Sequence, residues 1–182
     1  MKATGIVRRI DDLGRVVIPK EIRRTLRIKE GTPLEIFTDR EGEIILKKYS
    51  PIGELSIFAK EYAEALTQTT GLISMITDHD QVVAASGTGS KEYLGKEISR
   101  ELEDMISGRE ACFIGARDKG KIPLVADQRD AVGPQAIQPI ICAGDVIGSV
   151  ILLGRGETDN FGETEKKLVQ TAAGFLGRQM EQ

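Results

Sequence analysis

The sequence predicts a small β-rich domain with one short helix over residues 1–50, followed by a larger α+β domain over residues 56–182. One observation is charge: residues 1–50 carry 12 Lys and Arg against 8 Asp and Glu, whereas the rest of the chain carries 13 against 20. This asymmetry is typical of a nucleic-acid-binding module joined to a domain of another kind. The other is Ser50-Pro51, an N-cap residue followed by proline, which indicates the start of a helix. We therefore place a short linker at 51–55.

The first domain is predicted to have the order ββαββ. Runs of β-branched residues indicate the strands, and the glycine of the segment DREG suits a hairpin turn. In order, we expect a strand over 4–10, a turn over 11–14, a strand over 15–18, a helix over 19–26, and a hairpin of strands 34–38 and 43–48. A unit of this size buries little apolar surface. We therefore expect it to dimerise.

The predicted helix over 19–26 has one basic face and one apolar face. Pro19 suits the first helical position. At about 100° per residue the cationic side chains fall within an arc of roughly 100°, opposite Ile22 and Leu26. The basic side chains of this face and of the segment before it are Lys20, Arg23, Arg24 and Arg27, with Arg8, Arg9 and Arg15 upstream. A lone basic helix is typical of a solvated surface, but the upstream arginines favour binding to double-stranded DNA.

The motif LGRVVIPKEIRRTL over 13–26 resembles the DNA-binding domain of the AbrB family of bacterial transition-state regulators. The likeness covers about residues 1–50 and includes LEIFTD at 34–39 and IILKKY at 44–49. It implies a swapped-hairpin β-barrel in which two chains interleave as an intertwined dimer. It also implies which side chains contact DNA: Arg8, Arg15, Arg23 and Arg24 first, with Arg9, Lys20 and Arg27 in secondary positions.

The full chain resembles members of this family that control late, forespore-stage sporulation genes. The resemblance implies activation at some promoters and repression at others. Swapped-hairpin barrels also occur in antitoxins, which bind a partner protein through an attached tail. A protein-binding module is therefore an alternative. Such tails are usually short and disordered, whereas here a complete domain follows.

The second domain is predicted to be α+β, with an antiparallel sheet and flanking helices. In order, we expect a helix over 52–69, a hairpin of 72–77 and 81–86, a helix over 91–107, a strand over 111–116, a loop over 118–133, a hairpin of 136–142 and 146–153, and a helix over 163–180. The segment PIICAGDVIGSVILL at 139–153 resembles the central strand pair of a GAF domain. That resemblance implies a sensing or oligomerising domain, with an unidentified small-molecule ligand between its sheet and loops.

The first and last helices of this domain each carry an apolar seam with spacings of three and four. Such a seam packs against its own domain or pairs with a second copy, and the spacing leaves both open. In GAF-containing proteins the flanking helices of two domains pair, which favours an interface in a homodimer or homotetramer. The predicted interface residues are Leu55, Phe58, Tyr62, Leu66, Leu168, Ala172, Phe175 and Leu176.

We predict no catalytic residue, no metal site and no cofactor. Two cysteines, Cys112 and Cys142, are too few for a disulfide framework or a zinc site, and buried cysteine is usually inert. Some GAF proteins reduce free methionine sulfoxide through cysteines, so a cysteine-dependent reductase is a further alternative. His79, between two aspartates in a turn, is predicted to be an exposed residue without a function. Candidates for contacting an anionic ligand are Arg109, Arg117 and Arg129.

The sequence also predicts where the protein works. No apolar run approaches the ~18 residues of a membrane span. The N-terminus leads directly into a strand pattern without an apolar signal core. We therefore expect no membrane contact and a cytoplasmic location, which the sporulation resemblance narrows to the forespore.

Overall fold

The computed structural model describes residues 5–50, 52, 56–128, 133–156, 159 and 161–181. These residues form two compact units that divide between Tyr49 and Ser50. The first unit contains the basic segment, and the second contains a five-stranded sheet.

The first unit contains one short helix and one hairpin. Helix α1 spans Lys20–Thr25, and strands β1 (Leu34–Thr38) and β2 (Ile44–Lys48) pair antiparallel along their whole length. The turn between the strands is held by Asp39, whose Oδ1 accepts hydrogen bonds from two backbone N–H groups at 2.8 and 2.9 Å. The predicted helix and hairpin of this domain are therefore confirmed.

Residues 5–19 form a turn but no strand. The backbone N–H of Asp11 donates to the carbonyl of Arg15 at 3.0 Å, which closes the predicted turn. The described parts of the predicted strands 4–10 and 15–18 pair with no strand in the part of the chain that the structure describes. A strand needs a neighbour for its N–H and C=O groups. Because the described residues of one chain supply none here, these two strands do not form among them.

The first unit leaves its large apolar side chains uncovered. Val7, Val17 and Ile36 are 89%, 70% and 67% exposed. The other exposed large apolar side chains of this unit are Ile6, Ile10, Leu13, Val16, Leu26, Phe37, Ile44, Ile45, Leu46 and Tyr49. A monomeric soluble protein rarely exposes so much apolar surface. Among the described residues of one chain, these apolar side chains therefore remain uncovered.

The second unit is built on one antiparallel sheet in the strand order β4-β3-β7-β6-β5. Its strands are β3 (Ile73–Thr77), β4 (Val82–Ser86), β5 (Cys112–Ile114), β6 (Gln135–Cys142) and β7 (Asp145–Leu153). The hairpins β3–β4 and β6–β7 are the two hairpins that the sequence predicts, so both are confirmed.

Helices cover both faces of this sheet. Helices α2 (Ser56–Thr70) and α4 (Glu163–Gln179) pack on one face. Helix α3 (Arg100–Ser107) packs on the other face with the loop that carries Leu124 and Val125. The predicted α+β domain with flanking helices is therefore confirmed.

Strand β7 shows why its sequence is apolar without alternation. Val150 and Leu152 lie in the core between the sheet and helices α2 and α4. Ile151 and Leu153 lie in the core on the opposite face. All four are at most 1% exposed, because a central strand covered on both faces buries successive side chains on both sides.

The predicted helix over 91–107 is two separate elements. A single 3-10 turn at Ser90–Glu92 is followed by Gly95 in the left-handed conformation, with φ of +74°. Helix α3 begins only after Ser99, whose Oγ accepts from a backbone N–H of its first turn at 3.0 Å. Leu94, between the two elements, is 52% exposed. Glycine at positive φ interrupts the helix that the apolar spacing suggests.

The apolar seams of α2 and α4 are largely used by the second unit itself. Leu66, Ala172 and Leu176 are at most 4% exposed and pack in the core under these helices. These three residues are therefore core residues rather than the predicted interface residues. Helical spacing identifies an apolar face but not what covers it.

The rest of the predicted interface lies at the edge of this core. Phe58 and Phe175 are 48% and 42% exposed. Tyr62 and Leu168 are half-buried and pack against the core. Leu55 lies outside the described residues.

The predicted linker 51–55 contains a core residue. Ile52 is 1% exposed and belongs to the core under α2 and α4. Just before it, the Ser50 hydroxyl donates to the Asp78 carboxylate at 2.9 Å. The start of the second unit is thus fixed to its sheet before helix α2 begins.

Candidate nucleic-acid interface

Helix α1 presents the basic side chains that the sequence predicts. Pro19 forms its N-cap, and the Pro19 carbonyl accepts from the N–H of Arg23 at 2.9 Å. Lys20, Arg23 and Arg24 are exposed, whereas Ile22 on the other side is half-buried. Arg23 and Arg24 lie in the last turn, where the helix dipole favours positive charge. The short helix thus has one cationic face held by its own backbone geometry.

Arg27 lies outside the helix and does not continue the basic arc on which its spacing predicts it. Helix α1 ends at Thr25, and the N–H of Ile28 donates to the carbonyl of Arg23 at 2.7 Å. The N–H of Arg27 donates to the carbonyl of Arg24 at 3.3 Å. This pair of bonds is a Schellman motif, which usually has glycine at the left-handed position. Arg27 occupies it with φ of +51°, so its side chain departs from the predicted arc.

Arg15 is fixed across the turn by Asp11. The Nε of Arg15 donates to Oδ2 of Asp11 at 2.8 Å, and the backbone N–H of Arg15 donates to Oδ1 at 2.8 Å. The N–H of Leu13 donates to the same Oδ1 at 3.0 Å. These bonds, that from the Arg15 backbone first, hold the pKa of the Asp11 carboxyl below its usual value. The carboxylate is therefore ionised at neutral pH.

The sequence predicts the turn at Asp11 but not the role of its side chain. Asp is favoured at such turns because its carboxylate accepts from backbone N–H groups further along. The spacing of four residues between Asp11 and Arg15 is the only signal that the sequence carries for their ion pair. No periodic pattern marks it, because neither residue lies in a helix or a strand.

Five other basic side chains of the predicted site are not neutralised. Within the described residues, no carboxylate forms an ion pair or hydrogen bond with five exposed cations: Arg8, Arg9, Lys20, Arg23 and Arg24. Unpaired cations of this kind bind phosphate by displacing its counterions. The described basic side chains on and before α1 are therefore of two kinds: Arg15, which is bound to a carboxylate, and the five cations without a carboxylate partner.

The two cysteines do not form a reactive pair. Cys112 pairs with Ile137 in the sheet, five residues along β6 from Cys142. At about 3.4 Å per residue they are roughly 17 Å apart. Burial raises the pKa of the Cys112 thiol, and burial with Glu181 and Asp145 raises that of Cys142. The thiolate needed for nucleophilic chemistry is therefore disfavoured at both positions.

The other predicted candidates form no common site. His79 is half-buried in the turn between β3 and β4. Arg109 donates to the carbonyl of Gly144 in the turn between β6 and β7, and Arg117 is exposed. Arg129 lies outside the described residues. In the part of the chain that the structure describes, no three His, Cys, Asp or Glu side chains are arranged to hold a metal ion.

None of the helices described is both long and apolar enough to cross a membrane.

Two family models match the chain and together span most of it. The model described as the C-terminal domain of stage V sporulation protein T, a transcription factor, matches residues 54–181. The model described as MazE, an antitoxin that recognises a toxin, matches residues 7–54. The two matches meet close to the boundary between the two units.

Curated relatives give the same division. The chain is 55% identical to stage V sporulation protein T of Bacillus subtilis over 182 residues, which is all of both chains. It is 67% identical to the transition state regulatory protein AbrB of the same organism over 51 residues, or 28% of this chain and 52% of that protein. The second match is about as long as the first unit.

Solved structures resemble the second unit in fold. The second GAF domain of DevS from Mycobacterium smegmatis is 12% identical, with a TM-score of 0.54 over 71% of this chain and 93% of that one. The cyanobacteriochrome receptor PixJ is 14% identical, with a TM-score of 0.59 over 73% and 99%. At these identities the likeness shows a GAF-like fold only.

Proposed function

The chain belongs to the family of stage V sporulation protein T transcription factors, and on this premise we propose that it regulates late, forespore-stage sporulation genes by binding promoter DNA through its first unit. It acts as an activator at some promoters and as a repressor at others. The observation that carries the DNA-binding part is the set of five exposed cations without carboxylate partners on and before α1. Their charge suits the phosphate backbone, and arginine also suits guanine edges.

The binding form that we propose is a dimer of first units. Strands 4–10 and 15–18 find no neighbour within the described part of one chain, and the apolar side chains of this unit are exposed. A second copy that interleaves its own strands would satisfy both requirements at once, as the swapped-hairpin resemblance implies. Dimerisation also doubles the cationic set about a two-fold axis, which suits a DNA site with two half-sites.

The second unit has two proposed roles, oligomerisation and sensing. Phe58 and Phe175 stay exposed on α2 and α4, and a second pair of helices would cover them and convert dimers into tetramers. Sensing of an unidentified small molecule rests on the GAF-like fold alone. Native mass spectrometry of protein purified from its host should reveal a bound small molecule. A mass equal to that of the protein alone would contradict the sensing role.

We propose no cysteine-dependent reductase activity for the second unit, because burial raises the pKa of both thiols and so disfavours the reactive thiolate. An antitoxin-like function is the second candidate, since a MazE antitoxin model matches residues 7–54. That function predicts a tight complex with one partner protein through the tail that follows the barrel. Here that position is taken by a folded unit of its own.

DNA selection by the full-length protein tests the proposal. A random duplex library is passed through repeated rounds of capture, and the enriched sequences are read. We expect enrichment of a motif with two related half-sites, because a two-fold dimer contacts DNA symmetrically. Recovery of random sequence after repeated rounds would contradict sequence-specific binding.

A further inference from the structure

Asp11 fixes both the backbone and the side chain of Arg15. Its Oδ1 accepts from the N–H of Arg15 at 2.8 Å, and its Oδ2 accepts from Nε of the same residue at 2.8 Å. The Arg15 side chain is nonetheless 68% exposed. The guanidinium is therefore held from one edge and open to solvent along the rest.

The edge that stays open is the planar fork formed by Nη1 and Nη2. Arginine has five N–H donors in fixed geometry, and Asp11 occupies the one on Nε. The two Nη atoms remain available to donate together to the O6 and N7 acceptors of a guanine. An arginine already held in place loses less side-chain freedom when it makes such a contact.

The net charge of the pair points away from a phosphate contact. The Asp11 carboxylate is ionised at neutral pH, so the pair with Arg15 is neutral as a whole. Phosphate binding draws on the release of counterions by unneutralised cations. The cations that fit that role are those without carboxylate partners, such as Arg23 and Arg24.

We infer that Asp11 is a positioning residue that directs Arg15 to read a guanine edge in the DNA, leaving phosphate binding to the unpaired cations. The inference rests on the proposed DNA-binding function. It divides the basic side chains of the first unit into one that sets sequence preference and others that set affinity.

Asparagine at position 11 tests the bond to the Arg15 side chain separately from the bond to its backbone. Asp11→Asn keeps an Oδ1 acceptor for the turn but replaces Oδ2 with an amide nitrogen, which cannot accept from Nε of Arg15. Asp12→Asn is the matched control: it removes the same charge one residue away, and within the described residues Asp12 makes no bond to Arg15. Both full-length variants are titrated against a duplex enriched by the wild type and a scrambled duplex of equal length and composition.

The ratio of the two affinities is the decisive readout. We expect Asp11→Asn to lower this ratio about 5- to 150-fold for each of the two copies in the dimer, which corresponds to the ~1–3 kcal/mol of one base contact. Affinity for the scrambled duplex should not fall, and its salt dependence should steepen, because Arg15 becomes an unpaired cation. Asp12→Asn should leave the ratio within about twofold of the wild type.

Two variants of Arg15 extend the test, and the first keeps it decisive if Asp11→Asn does not fold. Arg15→Lys retains the charge without the planar fork of donors. It should lower the ratio of affinities for the enriched and scrambled duplexes and leave the salt slope unchanged. In an Arg15→Ala background, Asp11→Asn should have no further effect on the ratio.

Equal affinity ratios for folded Asp11→Asn and Asp12→Asn would overturn the positioning role. An affinity ratio for Arg15→Lys equal to that of the wild type would overturn it as well. Either result leaves the proposed DNA binding intact. A wild-type protein that binds enriched and scrambled duplexes equally would instead overturn both proposals.

Discussion

The rings of Tyr62 and Phe175 stack with centroids 5.5 Å apart and an interplanar angle of 30°. The contact joins helix α2 to helix α4 at the margin of the core, where Phe175 stays 42% exposed. Aromatic pairs of this geometry add about 0.5–1.5 kcal/mol beyond their buried area. The pair thus fixes an aromatic edge on the surface that we propose as the tetramer interface.

Phe175→Asp should dissociate tetramers into dimers, because a charge in a buried interface is costly. Multi-angle light scattering of the full chain measures this directly. Gln170→Asp is the matched control, since it introduces the same charge at an exposed position of α4. Tetramers that persist in folded Phe175→Asp would place the interface elsewhere.

Gly177 is required for the packing of α4 on the sheet. A Cβ at this position would collide with the carbonyl oxygen of Ile141 in β6. We expect Gly177→Ala to lower the free energy of unfolding by about 1–3 kcal/mol. Gly174→Ala on the same helix meets open space and should raise it by up to about 1 kcal/mol. Calorimetry at fixed protein concentration compares the two, and equal melting temperatures would refute the close contact.

Arg27 carries a local cost that glycine would remove. A side chain at φ of +51° costs on the order of 1 kcal/mol relative to glycine. Arg27→Gly should therefore slow amide hydrogen exchange in α1, whereas Arg27→Ala removes the same charge and keeps the strained backbone. Mass spectrometry of exchange over residues 20–30 compares them. Identical exchange in the two variants would mean that the left-handed residue is not strained.

The raised pKa of both thiols predicts slow alkylation. At pH 7.5 each cysteine should have a smaller thiolate fraction than free cysteine, and iodoacetamide should react more slowly with the native protein than with the urea-unfolded chain. The rate in the native protein should rise as pH increases toward the raised pKa values. Native rates above those of the unfolded chain would revive the reductase alternative.

Local signals predict the hairpins well. The segments around Asp39 and between β6 and β7 combine turn residues with apolar strands, and both fold as predicted. The helix over 91–107 fails because its apolar spacing continues through Gly95, whose positive φ ends the turn. Periodicity describes one face of an element, and it does not report the backbone conformation of a single glycine.

Two other differences between prediction and structure concern what a segment packs against rather than its secondary structure. Strands 4–10 and 15–18 have strand sequences, but a strand forms only beside a neighbour, and the described part of one chain offers none. The seams of α2 and α4 divide between the core at Leu176 and the exposed surface at Phe175. One of two adjacent residues in the same seam is thus buried and the other exposed, and a sequence pattern cannot distinguish them.

The salt dependence of DNA binding tests the central claim most directly. If a dimer contacts about six to eight phosphates, the log–log slope of affinity against salt should lie near −5 to −7. The double variant Arg23→Ala/Arg24→Ala removes four cations per dimer, and should flatten the slope by up to about 3.6. The control Lys91→Ala/Arg100→Ala removes the same charge from exposed positions of the second unit and should leave the slope unchanged. Equal affinity and equal slope for the wild type and a folded, dimeric Arg23/Arg24 variant would show that the basic face of α1 does not bind DNA.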